Sequence, residues 1–99
     1  MEYNLLLYEV IWNEQFVSKI ELKHHVKIEE VEEILFSDSH FRRAQKGRVK
    51  SEDLYVAYGR TETGRYLVVF FIRKSKNAAM PISARDMTAS ERRYYEKKK

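Results

Sequence analysis

Hydrophobic residues recur at helical spacing in two segments of the N-terminal part of the chain. Phe16, Val17 and Ile20 fall on one face of a predicted helix that extends to about residue 24. A second amphipathic helix is predicted over about 27–36, because its apolar positions lie opposite a block of glutamates. Before the first helix, residues 10–12 are predicted to form a short strand or an extended entry.

The middle of the chain has the patterns of β-strands. Apolar alternation over 54–58 and a dense hydrophobic run over 65–73 predict a hairpin, with Gly64 available for a positive φ in its loop. The second arm lacks polar alternation and is therefore predicted to be a central strand covered on both faces. The weakly patterned and basic segment 40–50 is predicted to be an edge strand.

A further strand and a final helix are predicted in the C-terminal third. Residues 80–85 read as a strand with Pro81 at its start or on an outward-facing edge, because proline cannot donate a ladder hydrogen bond. Thr88 and Glu91 have the spacing of a capping box, which predicts a helix over about 89–97.

The order of these elements predicts an α+β fold: two N-terminal helices, a mostly antiparallel sheet of about four strands and a C-terminal helix. A chain of 99 residues is too short to divide into two separate cores, so 1–99 is predicted to be a single soluble domain, with a short basic tail at 97–99.

Composition narrows the chemistry. The chain has no cysteine, which excludes disulfides, thiolate metal sites and a cysteine nucleophile and favours the cytoplasm. No apolar run approaches the roughly 20 residues that span a bilayer, so no membrane association is expected. His24 and His25 are adjacent and diverge on a helix, and the glycines are scattered, so neither a metal site nor a phosphate-binding loop is predicted. No cofactor is expected.

Charge is divided unevenly along the chain. The formal net charge is +4, and residues 73–99 carry nine basic and three acidic side chains. A second basic block follows the glutamates of the second predicted helix, at Arg42, Arg43, Lys46, Arg48 and Lys50. This separation favours unlike partners on different faces, one of them anionic.

The most specific motif is Ile82-Ser83-Ala84-Arg85-Asp86-Met87-Thr88-x-x-Glu91-Arg92-Arg93-x-Tyr95. With Trp12-Asn13-Glu14, Lys23-His24-His25-Val26, Tyr58-Gly59-Arg60-Thr61 and Gly64-Arg65, it resembles the BrnT toxins over about residues 10–96. The resemblance implies a RelE-like fold and an endoribonuclease toxin directed at RNA, alone or on the ribosome. It also implies a BrnA-like ribbon-helix-helix antitoxin, through which the complex binds operator DNA and represses its own operon.

Three positions depart from the family pattern. Asn13, Ile20 and His25 stand where the family usually has Asp, Asn and Gly. Because histidine adopts left-handed backbone angles at a cost that glycine avoids, we expect the turn between the first two helices to be affected.

The implied reaction needs no metal, because the 2′-hydroxyl of RNA can attack the neighbouring phosphate. Arginine suits the stabilisation of the extra negative charge, and we expect at least one of Arg60 and Arg85 to contact the scissile phosphate. The alternative for Arg85 is an ion pair with an acidic residue such as Glu91, which would fix the last helix. His24 is the candidate proton shuttle, and its alternative is packing on the first helix with Phe16 and Ile20.

Four further residues are candidates for RNA binding: Lys19, Lys23, Arg65 and Tyr95. The two lysines share a helix face, where they either bind phosphate or are merely solvated. The tyrosine could stack on a base or pack its ring on the sheet. The glutamate block is either a solvated face or a docking surface for a basic segment of the antitoxin.

The sequence is also compatible with two other functions. One is a catalytically weakened RelE-like module that acts only as co-repressor with its antitoxin. The other is a small basic RNA-binding domain without an antitoxin.

Overall fold

A computed structural model describes residues 2, 3, 5–45, 47 and 53–99. The helices are α1 (Glu14–His24), α2 (Ile28–Phe36) and α3 (Ala89–Lys98). The strands are β1 (Glu2–Tyr3), β2 (Glu9–Val10), β3 (His40–Gln45), β4 (Leu54–Arg60), β5 (Tyr66–Ser75) and β6 (Ala78–Asp86). The predicted α+β order, with two helices, a strand-rich middle and a final helix, is confirmed.

The described strands form one sheet in the order β1-β3-β4-β5-β6-β2, antiparallel except for the short pairing of β2 with β6. The predicted hairpin is confirmed as β4 and β5, and Gly64 in its loop has a φ of 97°. The predicted central strand is β5, which has α1 and α2 on one side of the sheet and α3 on the other.

The prediction of an edge strand after α2 is wrong. β3 pairs with β4 on one side and with β1 on the other, where Glu2 lies opposite Arg42 and Tyr3 opposite Phe41. A two-residue strand such as β1 has no periodicity of its own, so it could not be predicted from the hydrophobic pattern. Residues 46 and 48–50 of the predicted segment lie outside the described residues.

The last strand begins earlier than predicted. β6 starts at Ala78, so Pro81 is its fourth residue, next to a register shift between Phe70 and Phe71 of β5. Among the described strands, β6 has no partner beyond Ala79 on the side away from β5. This arrangement matches the other expected position of proline, on an outward-facing edge.

Two hydrophobic layers hold the sheet between the helices. Along β4, Tyr55 and Ala57 face α1 and α2, whereas Val56 and Tyr58 face α3, as the alternation of a strand requires. The larger core, beneath α1 and α2, includes these fully buried residues: Ile20, Val26, Val31, Ile34, Leu67, Val69 and Phe71. A side chain at Gly59 would meet Ile34 at 2.9 Å, so glycine lets α2 approach the sheet closely.

The structure shows the position of each of the three residues that depart from the family pattern. Asn13 caps α1 by accepting a hydrogen bond from the Gln15 amide at 3.1 Å. Ile20 is buried in the core beneath α1. His25 ends α1 in the left-handed conformation, with φ 56° and ψ 36°; its amide donates to the carbonyl oxygen of Glu21, and the Val26 amide donates to that of Ile20. The turn between α1 and α2 thus has the backbone geometry that glycine adopts most readily.

We expect His25→Gly to raise the free energy of unfolding by up to about 1 kcal/mol, because a left-handed residue with a Cβ is strained by about that amount. Chemical denaturation measures the change. His25→Ala is the matched control, since it removes the exposed imidazole and retains the Cβ. An equal gain from alanine would show that the imidazole, and not the backbone, was responsible.

The predicted capping box of α3 is confirmed. The Thr88 hydroxyl accepts a hydrogen bond from the Glu91 amide at 3.1 Å, and the Glu91 carboxylate accepts one from the Thr88 amide at 2.8 Å. Of the helices that the structure describes, none has the length and hydrophobicity needed to cross a membrane.

Candidate active site

Arg60 and Arg85 lie on the same face of the sheet, the face that α3 covers. Arg60 pairs with Tyr66 on one side of β5, and Arg85 pairs with Val68 on the other. Residues two apart along a strand share a face, and Tyr66 and Val68 both pack in the core beneath α3. The two arginines predicted to bind phosphate therefore approach one surface from the strands that flank β5.

Arg85 is held by Glu91 in a two-point ion pair. Its Nη1 and Nη2 lie 2.7 and 2.8 Å from the two carboxylate oxygens of Glu91. The hydrogen bonds from Arg85 lower the pKa of Glu91 below its ordinary value, although partial burial opposes this shift. The ion pair with Glu91 that the sequence suggested is thus present, and it ties the end of β6 to the capping box of α3. Contact between Arg85 and a phosphate stays a prediction.

Arg60 shares an aromatic partner with Arg92 of α3. The guanidinium carbon of Arg92 lies 3.8 Å from the centroid of the Tyr66 ring, and that of Arg60 lies 5.3 Å from it. The Tyr66 hydroxyl donates to Glu96 at 2.9 Å. No carboxylate of the described residues forms an ion pair with Arg60 or Arg92. Two exposed guanidinium groups on one ring form a cationic surface suited to phosphate.

His24 lies at the end of α1 beside other cationic groups. Partial desolvation, together with the charges of Lys23, Lys19, Arg85 and His25, lowers the pKa of His24 below its ordinary value. The imidazole is therefore neutral at physiological pH and able to accept a proton. Arg85 is among these charges, so the end of α1 lies near the end of β6, whereas Arg60 and Arg92, on the α3 face, are not among the groups that shift the pKa of His24.

Lys19 and Lys23 are exposed on α1, and neither forms an ion pair with a carboxylate of the described residues. Both lysines are close enough to His24 for their charges to lower its pKa, and their binding of phosphate stays a prediction.

Arg65 connects three elements on the side of the sheet that α1 and α2 cover. Its Nε donates to Asp86 at 2.8 Å, and its Nη1 donates to Glu30 and to the carbonyl oxygen of His25, each at 2.9 Å. The guanidinium thereby joins the α1–α2 turn, α2 and the end of β6. The hydrogen bond with Asp86 raises the pKa of Arg65 and lowers that of Asp86.

Tyr95 is 9 % exposed and packs in the core beneath α3 with Val56, Tyr58 and Val68. Its ring meets the ring of Tyr66 edge to face, with 6.0 Å between the centroids. Of the two interpretations of this tyrosine, packing on the sheet describes its position.

Arg92 belongs to the sequence motif but was not among the predicted site residues, and Tyr66 was not predicted to be part of the site. The available signal was the capping box, which fixes the rotation of α3 and hence its inner face.

Among the described residues, no three His, Cys, Asp or Glu side chains form a group that could hold a metal ion.

We expect the free energy of unfolding to fall as the pH drops through the acid range. The folded-state pKa values of Asp86 and Glu91 are lowered, so the stabilisation is complete above their unfolded pKa values and is lost as the pH falls through the folded ones. Melting temperatures between pH 7 and pH 3 measure the loss. Glu91→Gln should melt lower than the parent at pH 7 and show a smaller acid-dependent fall; an unchanged pH dependence would exclude Glu91 as a contributor.

Comparison with protein families matches residues 12–91 to the family described as ribonuclease toxin, BrnT, of type II toxin–antitoxin systems. Among solved structures, the chain is similar to the 1.1 Å crystal structure of the Brucella abortus ribonuclease toxin BrnT. The TM-score is 0.55 at 18 % identity, over 81 % of this chain and 96 % of the other, so the similarity concerns the fold. Comparison with curated proteins finds no match.

Proposed function

Because this chain belongs to the BrnT ribonuclease toxins of type II toxin–antitoxin systems, we propose that it inhibits translation by cleaving RNA without a metal ion. The 2′-hydroxyl of the substrate loses its proton and attacks the adjacent phosphorus; the bond from phosphorus to the 5′ oxygen then breaks, which leaves a 2′,3′-cyclic phosphate and a 5′ oxygen that takes up a proton from water. The protein has to align these groups, move the protons and stabilise the extra negative charge on the phosphorane.

The observation that carries this proposal is the pair of guanidinium groups on Tyr66. Arg60 and Arg92 are exposed and close to one ring, and neither forms an ion pair with a carboxylate of the described residues, although the charge of Arg92 reaches Glu96 and helps to lower its pKa. Their charge is thus available to phosphate oxygens, and a guanidinium can bind two such oxygens at once. In our proposal they stabilise the phosphorane.

His24 is the general base in this proposal. Its lowered pKa leaves the imidazole neutral at physiological pH, so it can take the proton of the 2′-hydroxyl. Lys19 and Lys23, on the same helix, bind neighbouring phosphates of the strand and keep the imidazole neutral. Both effects come from the positive charge of the lysines.

The remaining candidates have supporting roles in this proposal. Arg85 is a positioning residue that holds α3, and with it Arg92, through the ion pair with Glu91. An incoming phosphate reaches Arg85 only by exchanging with that carboxylate. Arg65 fixes the α1–α2 turn beside His24, and Tyr95 supports Tyr66 from below.

As a type II toxin, the protein has an antitoxin partner. We propose that this partner is a ribbon-helix-helix protein whose basic segment binds the acidic side of α2, and that the complex binds operator DNA through the antitoxin. Glu29 is exposed on that side, and Glu32 and Glu33 accept hydrogen bonds from Trp12 and from the Glu62 amide. Complementary charge would guide the two proteins together.

Controlled expression of the chain should arrest growth and translation, and co-expression of the cognate antitoxin should relieve the arrest. Incorporation of labelled amino acids and total RNA integrity are the measurements. The purified protein should cleave RNA equally well with a chelator present; loss of cleavage would exclude the metal-free mechanism. Normal growth at confirmed high levels of folded protein would favour the catalytically weakened co-repressor.

A further inference from the structure

A row of side chains crosses the sheet beneath α3, from Arg85 on β6 to His40 on β3. His40 pairs with Tyr58, Tyr58 with Val68, and Val68 with Arg85. The row therefore places His40 three strand spacings from Arg85, about 14 Å away on the same face. A nucleic-acid strand that passes Arg85 would meet this end of the row with a neighbouring nucleotide.

Tyr94 of α3 lies over the His40 end of the row. Its hydroxyl is 2.9 Å from Nε2 of His40, and its ring centroid is 5.0 Å from that of Tyr58. The ring is half-buried, so these contacts fix its position while part of it stays accessible. Fixed aromatic rings of this kind act as stacking platforms for unpaired bases.

Two exposed cationic side chains lie over the Tyr94 ring, at distances that let them move aside for a stacked base. The guanidinium carbon of Arg42 is 5.8 Å from the ring centroid, and Nζ of Lys98 is 5.7 Å from it. A nucleotide offers a flat base and a phosphate, which match the ring and the two cations together. An acidic peptide would match the two cations but offers no flat group to stack on the ring.

We propose that Tyr94, Arg42 and Lys98 form a second RNA subsite, in which an unpaired base stacks on Tyr94 while its phosphate lies near the two cations. The occupant is a single-stranded segment of the substrate, next to the nucleotide that is cleaved. This inference rests on the proposed function, since it assumes that the α3 face carries RNA. Tyr94 occupies an unspecified position of the motif that relates the chain to its family, and Arg42 and Lys98 lie outside that motif.

Binding of a single-stranded RNA with 2′-O-methyl groups, which block cleavage, tests the subsite directly. Abasic sites are introduced one position at a time, and the affinity of each RNA is measured by fluorescence anisotropy. For the parent protein, one position should cost about 5- to 150-fold in affinity, the range for a single stacked base. With Tyr94→Ala the same abasic RNA should bind as well as the complete RNA, and Tyr94→Phe should behave like the parent.

Arg42→Gln tests the same subsite without removing the ring. It should weaken binding and lower the salt dependence, because one phosphate contact is lost. Lys97→Gln, an exposed neighbour on α3, is the matched charge control and should change affinity less. If Tyr94→Ala does not fold, the Arg42 and Tyr94→Phe results still decide.

An abasic penalty that is identical in the parent and in Tyr94→Ala would overturn the subsite. It would also be overturned if Tyr94→Ala and Arg42→Gln weakened binding of the cognate antitoxin and left RNA binding unchanged. Because the probe cannot be cleaved, these outcomes are independent of catalysis. A parent that binds through Tyr94 and cleaves no RNA would retain the subsite and refute the proposed activity.

Discussion

Replacing Arg60 by alanine should lower the turnover of RNA cleavage by about 100- to 1,000-fold, the usual effect of removing a donor that stabilises a developing oxyanion. RNA binding should weaken much less, because the interaction of Arg60 strengthens as charge builds up on the phosphorane. Single-turnover cleavage rates and affinities for the 2′-O-methyl RNA separate the two effects. Melting temperature should stay close to that of the parent, since Arg60 is exposed and lies against one ring.

Two variants control for charge and shape. Arg60→Lys retains the charge without the planar fork, and should recover only part of the turnover. Lys74→Ala removes an exposed charge near the other end of β5 and should leave turnover unchanged. If Arg60→Ala weakens binding and turnover by the same factor, Arg60 merely attracts RNA; if it cleaves at the parent rate, Arg60 is not part of the site.

Most of the fold was predictable because its main elements have periodicity of their own. The apolar positions of α1 and α2 recur at helical spacing, the hydrophobic run of β5 has no polar face, and Thr88 and Glu91 mark the start of α3. In contrast, β1 and β2 contain two residues each and pair with β3 and β6; β1 was not predicted, and β2 overlaps the extended segment predicted at 10–12 only at Val10. Such pairing is a property of the sheet and not of a local sequence.

The candidate site was predictable only in part. The positions of Arg60 and Arg85 could be predicted from the topology, because the hairpin and the last strand place β4 and β6 on either side of β5. The role of Arg65 could not be predicted, since its partners His25, Glu30 and Asp86 are separated from it by 40, 35 and 21 positions. For the same reason the meeting of Arg92 with Tyr66, across 26 positions, required the fold.

The contact between Arg85 and Glu91 changes how loss of Arg85 should be interpreted. Removing the guanidinium leaves a half-buried carboxylate without its ion pair and loosens the cap of α3. Arg85→Ala should therefore lower stability as well as turnover, whereas Arg60→Ala lowers turnover alone. The melting temperature of the alanine variant thus distinguishes a residue that positions α3 from a residue that contacts the phosphorane.

Replacing His24 by alanine should lower turnover by about 100-fold or more, as expected for loss of a general base. For the parent, turnover should fall at acid pH as the imidazole gains its proton. Because nearby positive charges and partial desolvation lower the pKa of His24, this fall should begin below the ordinary pKa of histidine, about 6.5. The variant should lack this step in its pH profile.

Removing one of those charges provides the sharper test of the same assignment. Lys23→Gln should raise the pKa of His24 and move the acid limb of the profile to higher pH, because Lys23 is the largest of the charges that lower it. His25→Gln removes the neighbouring histidine and should keep the limb, with a smaller shift in the same direction. The base assignment would be refuted if the pH profile of Lys23→Gln did not move and that of a folded His24→Ala kept the parent shape. If His24→Ala lowered the melting temperature and nothing else, His24 would be a packing residue of α1.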